Sequence, residues 1–525
     1  MNPAYKSAFH KQLAVFKFIY IIVYKYKMLI SQFFENQEIF ITGGSGFIGK
    51  GLIEKILRSC TNVGAVYVLL RPKKGKSIEE RLNSILDSQL FARLRREQPQ
   101  NLQKVHAIAG DCSELGLGIC ASDLRRLENV NIIYHSAASV RFDDPLRDAV
   151  LMNTRGTYEL IKIAETLKHL KVFVHVSTTY CYPNRRVIEE QFYPPYADWR
   201  TTIKLAETYD TELLNIFNLK YGDFQPNTYT FTKSLAEQII KEYKDKLPLL
   251  IFRPSIVISS VEEPVPGWVD NFNGPIGMLV ACGIGIFRTS YGEPNIISDF
   301  VPVDVVVRAM LIATYRKGTE DRDNDEPKLE VVNGAASKIR PITTGEVIEI
   351  GKKVIKETPF EKTLWVPDGS ITRCQVWNMI RFFTLQILVA IFADFALRFT
   401  NTKPFLLKLQ RRIYAATLAL HYFVTTQWDF KNDNFYELNS FVPESEVDKF
   451  GFLQYKDLDY EQFFRTGIRG ARVFLLNEPA TCSQEALTRM KIYKVLHFLI
   501  KLIGSVLILR FVAYFIYDKF YATFI

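Results

Sequence analysis

Residues 38–57 read EIFITGGSGFIGKGLIEKIL, an apolar strand, a glycine-rich turn and an amphipathic helix in direct succession. Glycine lacks a Cβ, so a chain rich in it turns sharply and leaves its backbone accessible to a ligand. Read from Gly44 the pattern is G-x-G-x-x-G, and from Thr42 it is T-G-x-x-G-x-x-G. Such a turn places a pyrophosphate at the helix N-terminus. We therefore predict a dinucleotide held by Gly43, Gly44, Ser45, Gly46, Phe47, Ile48 and Gly49. The alternative is a flexible turn without a ligand.

Further apolar segments follow the glycine turn at intervals that leave room for helices: 66–70, 105–111, 131–138, 171–178 and 247–255. Nearly continuous apolar strands separated by helices are typical of a parallel sheet that is covered on both faces. The sequence thus predicts a doubly wound, Rossmann-type α/β domain with its ligand crevice at the carboxyl ends of the strands. Two irregular, aromatic-rich segments, 180–227 and 262–287, are predicted to build a substrate pocket, or else to be surface loops.

The composition excludes several classes of protein. The chain has 525 residues, 48% of them hydrophobic, which excludes general disorder. Its 66 basic and 56 acidic residues give a net charge of +10, and the excess is noticeable near both termini beside apolar runs. That distribution suits an anionic membrane surface better than a nucleic acid. The seven cysteines are scattered and form no C-x-x-C pair, so neither a disulfide framework nor a zinc site is indicated.

Apolar segments near both ends indicate contact with a membrane. Residues 13–30 are apolar but contain three lysines. They are interpreted as a secretory signal or as an interfacial anchor. A third interpretation is that the chain starts at Met28. Residues 376–399 form an apolar helix, either buried or facing a membrane, because its uncharged stretch is short for a span. Residues 495–517 are long enough to span, with Lys501 and Arg510 near opposite interfaces, although a soluble amphipathic helix is the alternative.

These changes in composition along the chain predict four regions. They are an N-terminal extension at 1–35, a Rossmann-type domain with a substrate lobe at 36–365, a smaller α-helical C-terminal domain at 366–480, and a membrane-anchoring segment at 491–525.

The end of the second predicted strand indicates which dinucleotide binds. A cofactor with a free ribose 2'-hydroxyl usually meets an acidic residue there, whereas this chain has Arg71. A guanidinium suits a 2'-phosphate, so NADPH is favoured over NADH. Lys73, Lys74 and Lys76 either add to the positive field or belong to a solvated loop. Asp111, at the end of the third strand, is predicted to accept from the adenine amino group, or to cap the following helix.

Two Y-x-x-x-K patterns compete for the proton-relay role beside a nicotinamide: Tyr229 with Lys233, and Tyr158 with Lys162. In each, the spacing of four places both side chains on one helix face, where an ammonium would lower the pKa of the phenol. Only Tyr229 comes after the strand that ends in Ser177 and Thr178, so topology favours Tyr229 and Lys233. A hydroxyl, a phenol and an ammonium would then converge to polarise a substrate carbonyl.

Together the glycine pattern, the hydroxyl-bearing strand end, Y-x-x-x-K and FRPS (252–255) resemble the extended short-chain dehydrogenase/reductase superfamily over about residues 36–330. More specific segments look like those of the fatty acyl-CoA reductases: HSAASVRFDDP (135–145), LMNTRGT (151–157), HVSTTYC (175–181) and YTFTKSLAE (229–237). The helical segment 376–476 is similar to the C-terminal domain of that family, and the overall layout resembles its insect members.

The resemblance implies reduction of a long-chain or very-long-chain acyl-CoA to a fatty alcohol with two NADPH, through an enzyme-held aldehyde. Tyr229 and Thr178 would stabilise the oxyanion, with Ser177 as the alternative hydroxyl. Lys233 would hold the nicotinamide ribose, and Asn153 would order a relay water. The resemblance also implies an endoplasmic reticulum membrane with the catalytic domain facing the cytosol, or a peroxisomal membrane, and it allows a homodimer. The rival interpretations are a membrane-bound sterol dehydrogenase and a non-catalytic nucleotide-binding scaffold.

Overall fold

The structure is a computed structural model that describes residues 28–73, 75–222, 225–320, 329–336, 338, 340–400 and 402–524. The predicted extension before Met28 and the predicted contribution of Lys74 lie outside the described residues. The chain forms two compact units. The first comprises residues 1–255, 303–335 and 429–456, and the second comprises residues 256–302, 336–428 and 457–525.

The first unit is built on a parallel sheet whose strands, β1 to β7, are Ile39–Thr42, Val66–Leu70, Val105–Ala109, Ile132–His135, Val172–Val176, Leu249–Pro254 and Glu330–Gly334. Their order across the sheet is β7-β6-β5-β4-β1-β2-β3, and every neighbouring pair is parallel. The predicted doubly wound fold is confirmed. The sequence pattern missed β7, which pairs with β6 at the edge of the sheet.

The helices of the first unit connect and cover these strands. The helix after the glycine turn, α1, is Phe47–Ser59, and the helix that carries the favoured Y-x-x-x-K pair, α2, is Thr228–Glu242. The other α-helices of this unit are Ile30–Phe33, Ile78–Leu86, Ala92–Glu97, Ala121–Arg126, Leu146–Ala149, Gly156–Glu165, Trp199–Thr208, Thr211–Tyr221, Val303–Thr319, Asp433–Glu437 and Val447–Phe450. One hydrophobic cluster joins sheet and helices through residues such as Phe40, Ile133, Phe173 and Leu235.

The segment 180–227 is more regular than predicted. It contains the helices Trp199–Thr208 and Thr211–Tyr221, each preceded by an aspartate that caps it. The Asp198 carboxylate accepts from Thr201 N at 2.7 Å, and the Asp210 carboxylate accepts from Leu213 N at 2.9 Å. Capping of this kind satisfies the first backbone N–H groups of a helix. The prediction of an irregular segment is therefore wrong over these two stretches.

The second unit is mainly helical. Its α-helices are Gly274–Ile284, Thr344–Glu357, Gln375–Phe382, Leu388–Leu397, Leu406–Thr425, Tyr460–Gly470 and Gln484–Phe524. Two short parallel pairs accompany them, Ile256–Ile258 with Phe300–Pro302 and Ser290–Tyr291 with Ile371–Thr372.

Two helices of the second unit are long and apolar enough to cross a membrane. They are Gln375–Leu397, with 23 residues, and Gln484–Asp518, with 35 residues. The first is continuous through a π turn at Phe383–Ile387, and most of its surface is exposed, which excludes the buried alternative of the sequence analysis. The second contains the predicted apolar segment 495–517 within a longer helix.

Candidate active site

The glycine turn forms a close-packed cradle between β1 and α1. Gly43 has φ +75°, a conformation that favours glycine, and a Cβ there would lie 2.6 Å from the backbone nitrogen of Ala137. A Cβ on Gly49 would lie 2.3 Å from the carbonyl oxygen of Gly43. Only glycine therefore fits at these two positions. Gly46 is the N-cap of α1 and supplies no side-chain cap, so the positive end of the helix dipole faces an open backbone. This cradle fits the pyrophosphate of a dinucleotide.

Arg71 and Asp111 are brought together at the carboxyl ends of β2 and β3. The Arg71 Nε lies 2.6 Å from Asp111 Oδ2, and Nη2 donates to Oδ1 at 2.9 Å. Asp111 Oδ1 also accepts from the backbone nitrogen and hydroxyl of Ser113, at 3.0 and 2.8 Å. The aspartate thus anchors the guanidinium, whose side chain remains 58% exposed. Lys73 and Lys76 form an antiparallel backbone bridge in the following loop.

Asn153 lies in a π-helical turn, Val150–Arg155, between two α-helical stretches. Its Oδ1 accepts from Ser139 N at 2.8 Å, and its Nδ2 donates to Ser139 O at 3.1 Å and to Thr232 Oγ1 at 3.0 Å. The carboxamide therefore clamps the loop after β4 to helix α2. π turns of this kind are often found at functional sites. The clamp differs from the relay-water role that the resemblance implied, because these bonds use both amide protons.

The clamped loop places an aromatic ring on Tyr229. Phe142 stacks on the Tyr229 ring with centroids 6.0 Å apart and planes inclined by 26°. Thr228 Oγ1 donates to Asp144 O at 3.0 Å, which ties the end of the same loop to the start of α2. The sequence analysis quoted this segment for its resemblance and gave Phe142 no role. Its contact with Tyr229 could not be inferred from spacing, because the two residues are far apart in the chain.

Tyr229 and Thr178 form the chemical centre of the arrangement. Burial raises the pKa of Tyr229 above its ordinary value, the nearby Cys181 thiol adds to the rise, and a side-chain hydrogen bond with Thr178 opposes it. The sequence analysis expected a lowered pKa. The direction is reversed because loss of hydration disfavours the phenolate more than its neighbours stabilise it. Tyr229 therefore holds its proton at neutral pH.

Lys233 lies one turn of α2 beyond Tyr229 and is fully buried. Its Nζ donates to the carbonyl oxygen of Val176, in β5, at 2.6 Å. Burial lowers the pKa of Lys233 from 10.5 to about 8, against the opposing effect of the Glu237 carboxylate. The ammonium is thus aimed at the strand end that also carries Thr178.

A buried cluster that the sequence did not predict lies further along α2. Its carboxylate is Glu237, four residues beyond Lys233 on the same helix face, and the Cys181 thiol donates to Glu237 Oε1 at 3.4 Å. The Ser177 hydroxyl is buried and makes no hydrogen bond to a described residue. The Arg253 guanidinium contacts the same carboxylate, with Nε–Oε1 at 2.8 Å and Nη2–Oε2 at 2.7 Å. Burial alone would raise the pKa of Glu237, but Arg253 lowers it. The FRPS motif was the sequence signal for Arg253, but only the fold reveals that its buried partner is Glu237.

The competing pair, Tyr158 and Lys162, is engaged elsewhere. The Tyr158 ring packs on Trp199 with centroids 4.9 Å apart, and Lys162 Nζ lies 2.7 Å from a carboxylate oxygen of Glu159. The structure therefore brings Thr178, Tyr229 and Lys233 together beside β5 and leaves the second Y-x-x-x-K pair outside this group.

Comparisons of the sequence with known proteins match most of the chain. Two family profiles, each described as male sterility protein, match residues 41–310 and 385–478. The chain is 35% identical to "Fatty acyl-CoA reductase wat" of Drosophila melanogaster, over 89% of this chain and 90% of that protein. It is 38% identical to "Fatty acyl-CoA reductase 1" of Rattus norvegicus, over 86% of each protein.

Solved structures share the fold. The terminal R domain of the myxalamid PKS-NRPS pathway superimposes with a TM-score of 0.57 at 15% identity, over 84% of this chain and 92% of that one. A reductase domain of a non-ribosomal peptide synthetase from Mycobacterium tuberculosis gives a TM-score of 0.56 at 21% identity, with the same coverage.

Proposed function

The chain belongs to the fatty acyl-CoA reductase family, and from that premise we propose that it reduces a long-chain acyl-CoA to the primary alcohol with NADPH. The thioester carbon must gain two hydrides, one before CoA leaves and one after it leaves. The departing thiolate and the final alkoxide must each gain one proton. The single observation that carries the proposal is the grouping beside β5 of Thr178, Tyr229 and, one turn further along α2, Lys233, whose Nζ donates to Val176 O at 2.6 Å. These groups can hold a carbonyl oxygen and supply its proton.

Tyr229 acts as the acid in this proposal. Its raised pKa keeps the phenol protonated, so it donates a hydrogen bond to the carbonyl oxygen and a proton to the alkoxide that develops there. Thr178 fixes the direction of the phenol and adds a second hydroxyl. Thr178 is favoured over Ser177 as the catalytic hydroxyl because it acts on the pKa of Tyr229, whereas the buried Ser177 hydroxyl makes no hydrogen bond to a described residue. Phe142 covers the ring and keeps water from one side of the site.

NADPH, when bound, supplies the hydride. The residues that would hold it fit its parts: the backbone of Gly43 to Gly49 suits the pyrophosphate, and Arg71 suits the 2'-phosphate. Asp111, which positions Arg71, would accept from the adenine amino group, and Lys233 would hold the nicotinamide ribose. Asn153 contributes by fixing the loop after β4.

A membrane location suits the lipid substrate. The helix Gln484–Asp518 would anchor the chain in the endoplasmic reticulum, with the first unit in the cytosol where acyl-CoA is available, and the peroxisomal membrane is the second candidate.

The test is a product assay with membranes that contain the full chain, a panel of acyl-CoAs of increasing length, and NADPH or NADH. We expect alcohol with NADPH, and a rate reduced by about 10²- to 10⁴-fold in Tyr229→Phe, which removes only the acid. Tyr158→Phe, from the competing pair, is the matched control and should keep its rate. Alcohol formation that survives in Tyr229→Phe would refute the assignment, and turnover of a steroid ketone but no acyl-CoA would point to the sterol dehydrogenase.

A further inference from the structure

The helix Gln375–Leu397 of the second unit has its polarity reversed relative to a helix of a water-soluble domain. Its outward face carries large apolar side chains, each about half exposed or more: Val376, Trp377, Phe383, Leu388, Phe392 and Phe395. A soluble helix normally turns such a face toward the core. An exposed apolar surface of this extent marks a binding site for another apolar partner.

The inward face of the same helix carries polar side chains that are bonded within the unit. Thr289 Oγ1 donates to Asn378 Oδ1 at 2.8 Å, and Arg288 N donates to Gln386 Oε1 at 2.7 Å. Near the end of the helix, the Asp394 carboxylate accepts from the backbone nitrogens of residues 405–407, at 3.0, 2.9 and 2.9 Å. The helix is therefore fixed to its unit by these polar contacts together with the buried Phe382 and Ala390, and it presents its large apolar side chains outward.

We infer that this outward face lies in one leaflet of a lipid bilayer, parallel to the membrane surface, as a second membrane contact in addition to the C-terminal helix. A crossing orientation is disfavoured by Gln386, which lies at the middle of the helix. Its partner is the backbone of Arg288, so a crossing helix would place that guanidinium near the bilayer centre, where a charge is costly. An in-plane orientation keeps the polar face and Arg288 on the water side.

The charge of the adjoining helix fits the same partner. Leu406–Thr425 packs on this helix through the stacked rings of Phe382 and Tyr414, whose centroids are 4.9 Å apart. Its exposed side begins with Lys408, Arg411 and Arg412. Basic side chains next to an apolar face are attracted to anionic lipid headgroups.

The inward side of this helix is also linked to the base of the C-terminal helix. Arg288, which holds Gln386 through its backbone, donates from Nη1 to the carbonyl oxygen of Val366 at 2.8 Å. The neighbouring Trp365 ring packs on Tyr493 and His497 of the C-terminal helix, with centroids 5.5 and 6.2 Å away. Only this link to the C-terminal helix depends on the proposal that the C-terminal helix anchors the protein in a membrane.

The test measures the depth of a fluorophore attached to single cysteines of the full chain. The accessible cysteines Cys120, Cys374 and Cys482 are first replaced by serine. A single cysteine is then introduced at one of three positions: Phe392 (70% exposed), Leu115 of the first unit (66% exposed), or Leu507 of the C-terminal helix. The labelled protein is reconstituted in vesicles of phosphatidylcholine and phosphatidylserine. Nitroxide lipids quench the fluorophore either near the headgroup or deep in the chains.

We expect Phe392→Cys to lose most of its fluorescence with the headgroup-proximal nitroxide and less with the deep one, while the control Leu115→Cys is not quenched. Strongest quenching of Phe392→Cys by the deep nitroxide would overturn the in-plane orientation. No quenching at Phe392→Cys, or cross-linking of this cysteine between two copies, would overturn the lipid assignment. In both cases, deep quenching of Leu507→Cys would show that the C-terminal helix still anchors the protein. If Leu507→Cys were not quenched, the result would count against that anchor and not against the in-plane helix.

Discussion

Replacing Lys233 by methionine should make the protein more stable and inactive at the same time. The ammonium is completely buried, and its pKa falls from 10.5 to about 8 in the fold. That difference corresponds to about 3 kcal/mol by which folding disfavours the protonated lysine. Methionine has a similar length and no charge, so it removes this cost. It also removes the 2.6 Å hydrogen bond to Val176 O, which offsets about 1–3 kcal/mol of the gain.

The pH dependence of the unfolding free energy distinguishes the removal of a buried charge from a simple packing effect. Because the folded pKa lies below the unfolded one, the unfolded chain binds more protons between about pH 8 and 10.5, and the stability of the wild type rises with pH over that window. The variant lacks this contribution. Its advantage should therefore be greatest below about pH 8 and should shrink by about 1.4 kcal/mol per pH unit above it.

The assay is urea unfolding of the full chain in detergent at several pH values, followed by tryptophan fluorescence, together with the alcohol assay. Lys162→Met, from the exposed lysine of the competing pair, is the control and should show no such pH dependence. A difference in stability between Lys233→Met and wild type that stays constant from pH 7 to 10 would refute the reasoning. So would a Lys233→Met protein that retains full activity.

Three further predictions concern the cofactor and the catalytic hydroxyl. Gly49→Ala places a Cβ 2.3 Å from Gly43 O, so the glycine turn must shift at a cost of about 1–3 kcal/mol. Titration with NADPH should then show an affinity at least several-fold lower. An unchanged dissociation constant would contradict the role of the glycine turn as the cofactor cradle. Arg71→Ala should weaken NADPH by about 10- to 100-fold and leave NADH unaffected, whereas an equal loss for both would exclude a 2'-phosphate contact. Thr178→Val should lower kcat by about 10²- to 10³-fold while Ser177→Ala retains most activity, and the reverse ranking would make Ser177 the catalytic hydroxyl.

Local sequence signals were sufficient for six of the seven strands and for choosing the Y-x-x-x-K pair that lies beside β5. Strands β1 to β6 are continuous apolar runs between helices, so their pattern identifies them without tertiary information. Strand β7, Glu330–Gly334, pairs at the edge of the sheet, and only Val331 and Val332 in it carry apolar side chains, so nothing in its pattern separated it from a loop. Topology selected Tyr229 and Lys233 over Tyr158 and Lys162, since only the former pair follows β5.

Contacts between distant residues could not be predicted. Asn153 was assigned a water-ordering role, whereas its carboxamide binds the backbone of Ser139, an arrangement that depends on the π turn. The direction of the Tyr229 pKa was predicted wrongly because spacing reveals a nearby lysine but does not reveal burial. The domain boundaries and the roles of the cofactor-binding residues remain predictions.

Their surroundings give the three ionisable groups on one face of α2 different protonation states. Burial keeps Tyr229 protonated and lowers the pKa of Lys233 to about 8, whereas Arg253 holds Glu237 ionised. In the proposed reaction the substrate oxygen takes the Tyr229 proton, which must then be replaced. At neutral pH Glu237 has no proton to give, whereas Lys233 is still protonated and has a pKa low enough to release one. The same burial that destabilises the ammonium therefore suits it to restore the acid, so the lysine's cost to stability and its use in turnover have one physical cause.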